Sequence, residues 1–240
     1  MCGRFANQID NLGPWEEMLT GWPYDCHTGY NIAPTNNIPV LIYDRQNKKF
    51  SGQSMHWGLV PSWSKEANPK FSTFNARIES LAEKPAYRTA WKQSRTCLIP
   101  IRGYYEWKND NTGKQPYFIS LEVNQPIMLA GIWDIWTNQP KPLYSCSIIT
   151  RSAKNNLSNI HSRMPVRVDQ DHALDWLIRG KDWLHIISNL RYPDEFNYYP
   201  VSKKVNRPTN QGPDLINPYQ STNYNSNEYS SSHNFMKDDC

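Results

Sequence analysis

The stretch TCLIPIRGYYEWKNDNTGKQPYFISLE, residues 96–122, decides the fold class. Thr96 to Ile101 is a compact apolar run, and Tyr104 to Lys108 is a second strand candidate rich in aromatic residues. Asn109-Asp110-Asn111-Thr112-Gly113 then supplies turn chemistry, after which Pro116 to Glu122 returns as a third strand. Strands that follow one another through short turns favour a mixed, mainly antiparallel α+β domain. A doubly wound parallel sheet needs strands and helices in alternation, and they do not alternate here.

The flanking sequence extends the pattern. Ile38 to Tyr43, Ile127 to Trp136, Leu143 to Thr150 and Phe196 to Val201 are further strand candidates. Three helices are expected. One spans Pro14 to Trp22, where Trp15, Met18, Leu19 and Trp22 fall three and four apart. A second spans Lys84 to Trp91, with Pro85 in its first turn, and a third is capped by Asp169 and ended by Gly180. From about Asn217 the composition turns to Asn, Ser and Tyr with almost no aliphatic residues. Such a segment cannot bury enough apolar surface to order itself, so residues 218–240 are expected to form a flexible tail behind one domain, 2–217.

At 240 residues, 38% hydrophobic and 13% aromatic, the chain can build a sizeable core. Its net charge is +4, and since the last 23 residues carry −2, the body carries +6. A modestly basic body is compatible with a polyanion partner. Five cysteines without CxxC spacing indicate neither a disulfide framework nor a zinc site. No apolar run reaches membrane-spanning length and no signal peptide opens the chain, so a cytoplasmic protein without a membrane, metal or cofactor partner is expected.

The chain opens Met1-Cys2-Gly3-Arg4-Phe5. Methionine excision works best before a small residue, so the mature chain is expected to begin with cysteine. Free α-amines and thiols titrate near pH 8 and about 8.5, so both are partly reactive at neutral pH. A 1,2-aminothiol condenses with an aldehyde to an imine, and the thiol then closes a thiazolidine ring. The alternative is a small buried hydrophobe.

Three other segments set polar groups in apolar company. In Phe74-Asn75-Ala76-Arg77 an extended backbone would place Asn75 and Arg77 on one face, an amide beside a phosphate grip; the alternative is a turn and a surface ion pair. In Gly103-Tyr104-Tyr105-Glu106-Trp107, aromatic neighbours would raise the Glu106 pKa and make it a proton carrier, or alternation would turn Glu106 to water. In Ile160-His161-Ser162-Arg163-Met164-Pro165, His161 can shuttle protons or simply bond at a helix end, and Arg163 suits a phosphate. Arg4 either solvates the surface or holds a phosphate beside the terminal amine.

These segments, together with Tyr30-Asn31-Ile32-Ala33-Pro34, Trp57-Gly58-Leu59-Val60-Pro61-Ser62-Trp63, Cys97-Leu98-Ile99-Pro100 and Asn210-Gln211-Gly212-Pro213-Asp214-Leu215-Ile216, closely resemble the SOS response-associated peptidase (SRAP) family of abasic-site processing proteins. The resemblance runs from Met1 to about Asn217. It implies a twisted, mainly antiparallel sheet with a barrel-like core and a few peripheral helices. It further implies a monomer that crosslinks to abasic sites in single-stranded DNA, nucleoid-associated if bacterial. Carried over, Cys2 is the nucleophile, Asn75 orients its amine, Glu106 assists ring opening, and His161 handles protons at the imine and in reversal. Arg4, Arg77 and Arg163 then bind phosphates, while Phe71, Pro34 and Trp107 line or stack along the DNA path. Arg102 and Arg151 stand where many members carry small or acidic residues, adding positive charge near DNA-facing loops. Two other readings stay open: a cysteine autopeptidase that cuts its own N-terminus, and a non-catalytic single-strand binding module.

Overall fold

A computed structural model describes residues 2–9, 15, 18, 28–67, 72–110, 113–121, 125–180 and 196–219. Its strands are β1 (Phe5–Ala6), β2 (Asn37–Asp44), β3 (Lys49–Trp57), β4 (Asn75–Arg77), β5 (Thr96–Ile101), β6 (Gly103–Asp110), β7 (Gly113–Leu121), β8 (Ile127–Trp136), β9 (Leu143–Ser152), β10 (Arg163–Pro165) and β11 (Phe196–Pro200). The α-helices among the described residues are α1 (Pro85–Lys92) and α2 (Gln170–Arg179). The expected helix from Pro14 to Trp22 lies outside the described residues, Trp15 and Met18 excepted. So does the expected tail 218–240 apart from Pro218 and Tyr219, which the fold holds through a Pro218 bridge to Val201 and Tyr219 N donating to Pro200 O at 2.8 Å.

Strands β9, β3, β2, β5 and β8 are neighbours in that order, and β8 pairs back onto β9, so five strands close into a barrel. β4 and β10 extend β9 beyond its contacts with β3 and β8. A second sheet, β1-β6-β7-β11, carries the N-terminal strand. The domain is α+β and mostly antiparallel, with β3 and β4 running parallel to β9.

Period-two geometry explains the long apolar runs. Ile38, Val40 and Ile42 of β2, Cys97, Ile99 and Ile101 of β5, and Ile127 and Leu129 of β8 fill the barrel. Their alternates Leu41, Leu98, Met128 and Ala130 face outward under Tyr87, Ala90 and Trp91 of α1 and Ala173, Trp176 and Leu177 of α2. Each buried aliphatic side chain contributes about 1.5–3 kcal/mol, so a one-residue slip exchanging the two sets is strongly opposed. α2 begins where Asp169 accepts a hydrogen bond from His172 N at 3.0 Å and ends at Gly180, whose φ of +59° suits glycine.

β3 was not legible. Its first six residues, Lys49 to Ser54, are polar apart from Phe50 and Gly52, and none is fully buried, so no apolar run marks it. Its place comes instead from pairing with all of β2, Asn37↔His56 through Asp44↔Lys49.

Candidate active site

The second residue is deeply placed, because β1 is stitched in from both sides. Phe5 and Ile32 exchange backbone hydrogen bonds at 3.1 and 2.8 Å, while Tyr105 N donates to Arg4 O at 2.9 Å and Arg102 N to Ala6 O at 2.8 Å. Phe5 packs on Trp57 with ring centroids 4.7 Å apart. Cys2 is therefore 0% exposed and joins the core that holds Cys97 and Cys146, all three as free thiols.

Asn75 reaches this segment from β4. Its Nδ2 donates to Cys2 O at 2.7 Å, and its Oδ1, also buried, has no hydrogen-bond partner. The strand is held by pairing Asn75↔Ile148 and by Tyr87 Oη donating to Asn75 O at 2.9 Å. Trp57 fixes the preceding residue, its Nε1 donating to Phe74 O at 2.9 Å.

Glu106 lies inward, at 3% exposure. Tyr104 and Tyr105 are buried as well, so both faces of β6 are covered and alternation carries no information there. Burial pushes the Cys2 thiol pKa well above its ordinary value, and the nearby Glu106 charge raises it further. Tyr104 is raised in the same way, by burial first and then by Cys2 and Glu106. Cys2, Tyr104 and Glu106 thus form one electrostatic cluster, in which the thiol and the phenol hold their protons tightly.

His161 follows the short 3₁₀ helix Asn155–Asn159 and precedes β10. Its Nδ1 accepts a hydrogen bond from Arg163 N at 2.9 Å. Arg163 is 13% exposed at its side chain and is held by Glu79 and Thr150. Arg77 is exposed at the end of β4.

Arg4 is half-buried. Its Nη1 donates to Asn31 Oδ1 and to Val205 O, both at 2.8 Å, and its Nε is buried without a partner. Burial lowers its pKa. Its guanidinium lies 5.9 Å from the Trp107 ring, and Trp107 Nε1 donates to Asn206 Oδ1 at 2.8 Å. Pro34 is half-buried in a turn that Thr35 N and Asn36 O tie to Trp57. Phe71 lies outside the described residues. Arg151 does not display charge on a loop. It sits in β9 at 6% exposure, with a buried Nη1 that has no partner.

Residue-by-residue reading missed the lock beneath Arg4. Asn31 is 1% exposed, and its Nδ2 faces the backbone oxygens of Val205, Arg207 and Asn210 at 2.9–3.2 Å. Gln211 Oε1 accepts from Tyr30 N at 3.0 Å and Asn31 N at 3.2 Å. Both residues lie in motifs that carry the family resemblance, which was the one available signal. Among the described residues no group of three or more His, Cys, Asp or Glu side chains could hold a metal ion, and no helix is long and apolar enough to cross a membrane.

These features define a class: a single α+β domain built on a five-stranded barrel, with Cys2 folded into the core beside an amide and a carboxyl group. The chain belongs to the family described as SOS response associated peptidase (SRAP), whose sequence profile it matches over residues 1–208. It is 34% identical to the abasic site processing protein YoqW of Bacillus subtilis over 226 residues, spanning 90% of this chain and 99% of the relative. It is 30% identical to the abasic site processing protein HMCES of Xenopus tropicalis, spanning 90% and 78%. A crystal structure of a protein from Bacteroides thetaiotaomicron shares the fold at a TM-score of 0.76 and 20% identity, covering 91% of this chain and 100% of the other.

Proposed function

We propose that this protein captures abasic sites in single-stranded DNA by closing a thiazolidine on mature Cys2. Loss of Met1 frees the α-amine. That amine condenses with the aldehyde of the ring-opened sugar, releasing water and forming an imine. The thiol then adds across the C=N bond, its sulfur to carbon and its proton to nitrogen, with no change in oxidation state. The imine is also the point from which lyase chemistry breaks the strand, so ring closure shields the lesion.

The observation that carries this reading is the Asn75 amide. It grips Cys2 O and keeps a buried Oδ1 without a partner beside the future terminus, in a chain whose relatives are named abasic site processing proteins. An ammonium or amine at residue 2 supplies the donor that Oδ1 lacks. Glu106, electrostatically coupled to the thiol, takes its proton and passes it on toward the imine nitrogen, and it assists sugar opening. His161 exchanges protons at the imine nitrogen and at the carbinolamine oxygen that leaves as water. Arg77 meets a phosphate from the surface, Arg4 and Arg163 flank the path, and Phe71, Pro34 and Trp107 line it.

Cys2→Ala should abolish an adduct with an abasic single-stranded oligonucleotide that survives denaturation. Full crosslinking by that variant would sink the proposal. Intact-mass analysis of the same samples reports Met1 loss and adduct together. The word peptidase in the family description favours a second reading, in which Cys2 cleaves the Met1–Cys2 bond itself. Met1 loss that persists in Cys2→Ala made without aminopeptidase would exclude it.

A further inference from the structure

Both Nη nitrogens of Arg163 are already occupied, while its Nε is buried without a partner. Nη1 donates to Glu79 Oε1 at 2.6 Å and Nη2 to Glu79 Oε2 at 2.9 Å, a two-pronged grip. Nη2 also donates to Thr150 O at 2.7 Å. Arg163 in turn holds the pair's carboxyl below the usual carboxylate range through these bonds, so Glu79 stays ionised at neutral pH.

The backbone of Arg163 does something different. Its N–H points at His161 Nδ1, and a ring nitrogen that accepts carries no proton, so the contact assigns the imidazole hydrogen to Nε2. The turn is also held by His161 N on Leu157 O at 3.1 Å, by Ala153 N on Ser162 O at 2.9 Å and by the pairing Arg163↔Ser152 of β10 with β9. Glu79 comes from elsewhere: the 3₁₀ turn Ile78–Ser80, which follows β4 directly. The Glu79–Arg163 pair therefore ties the strand of Asn75 and Arg77 to the turn of His161.

We propose that Glu79 is a positioning residue for the crosslinking chemistry: by clamping Arg163 it keeps the Arg163 N–H on His161 Nδ1 and so holds His161 as an Nε2–H donor. This rests on the proposed function for its consequence, but not for its geometry. An Nε2–H donor delivers its hydrogen to the oxygen that leaves as water when the imine forms. A ring freed to exchange tautomers offers the wrong nitrogen part of the time.

Two measurements on Glu79→Gln test it, with Arg163→Lys as the second variant because it keeps the charge and loses the fork. Imidazole nitrogen NMR, with His161 identified by its loss in His161→Ala, should show one Nε2–H tautomer in the wild type and a mixture in both variants. In single-turnover crosslinking at saturating abasic strand, Glu79→Gln should be slower by about 10-fold, and Glu79→Gln/His161→Ala no slower than His161→Ala alone. An unchanged His161 spectrum overturns the clamp, as do effects that multiply in the double variant. Tighter, more salt-sensitive binding of an undamaged strand by Glu79→Gln also overturns it, making Glu79 a competitor for a phosphate. If the wild type forms no adduct, the proposed function fails, and the spectrum alone still decides the clamp.

Discussion

Asp134 and Glu106 are both acids buried in strands, and their surroundings differ in kind. Asp134, on β8, forms an ion pair with Arg95 and accepts from Ser62 N at 2.8 Å and Ile135 N at 2.9 Å. Arg95 in turn lies over Trp133, which stacks on Tyr144, along one wall of a cavity of about 590 Å³. The acid there anchors the 59–67 loop to the barrel. The electrostatic neighbours of Glu106 include Cys2 and Tyr104, acids themselves, whose protons its charge helps to retain. A carboxylate saturated by a guanidinium and backbone donors stabilises a fold. One placed among protonated weak acids suits the proton-carrying role proposed for Glu106.

Matched amide substitutions separate the two most sharply. Glu106→Gln should slow crosslinking by about 10²–10⁴-fold, the range for a lost proton carrier, while keeping or raising the urea midpoint. Asp134→Asn should do the reverse. It leaves Arg95 uncompensated and costs about 3 kcal/mol, the low end for a broken buried pair because Arg95 is a quarter exposed, with the crosslinking rate of the folded fraction unchanged. Equal destabilisation by both changes would make Glu106 a structural acid.

The same contrast marks how far the sequence could be read. β2, β5, β8 and β9 were legible because buried strands announce themselves as apolar runs, and α2 because Asp169 and Gly180 bracket it. The barrel closure was legible only through resemblance, since nothing local in β9 says that β3 and β8 both pair with it. Cys2, Asn75, Glu106 and His161 could be singled out as residue types, but their partners could not. Arg4 meets Val205 across 201 positions, and Arg163 meets Glu79 across 84. Such pairs are set by packing, and no periodicity encodes them. The inward turn of Glu106 was undecidable for the same reason, because β6 is covered on both faces.

A smaller effect distinguishes the proton-holding interior from an ordinary one. Burial raises the pKa of Cys2, Cys97 and Cys146, and Tyr87 is pushed up to about 12. The folded chain keeps these protons after the unfolded chain has released them, so stability is complete below the unfolded thiol value of about 8.5 and falls above it. Each fully buried thiol should remove about 1.4 kcal/mol per pH unit beyond that point, up to its folded pKa, with tyrosine joining above about pH 10. Urea midpoints at pH 7.5 and 9.5 should therefore fall. A flat profile would mean that the barrel opens to water around its thiols.

The smallest effect concerns two arginines that lie on adjoining strands. Arg77 ends β4 in solvent, while Arg151 is sealed in β9 against Met164 with an unpartnered Nη1. Counterions leave a strand only when a cation reaches its phosphates, so only an exposed guanidinium can change the salt dependence of binding. Arg77→Gln should reduce the slope of log K against log salt by about 0.7, the value for one phosphate of a single strand. Arg151→Met should leave the slope untouched and stability equal or slightly higher, because an apolar side chain of similar length needs no partner in that setting. A slope that changes with Arg151 instead would mean that the β9 end opens when DNA binds, and that burial in the free protein misreports which charges the strand meets.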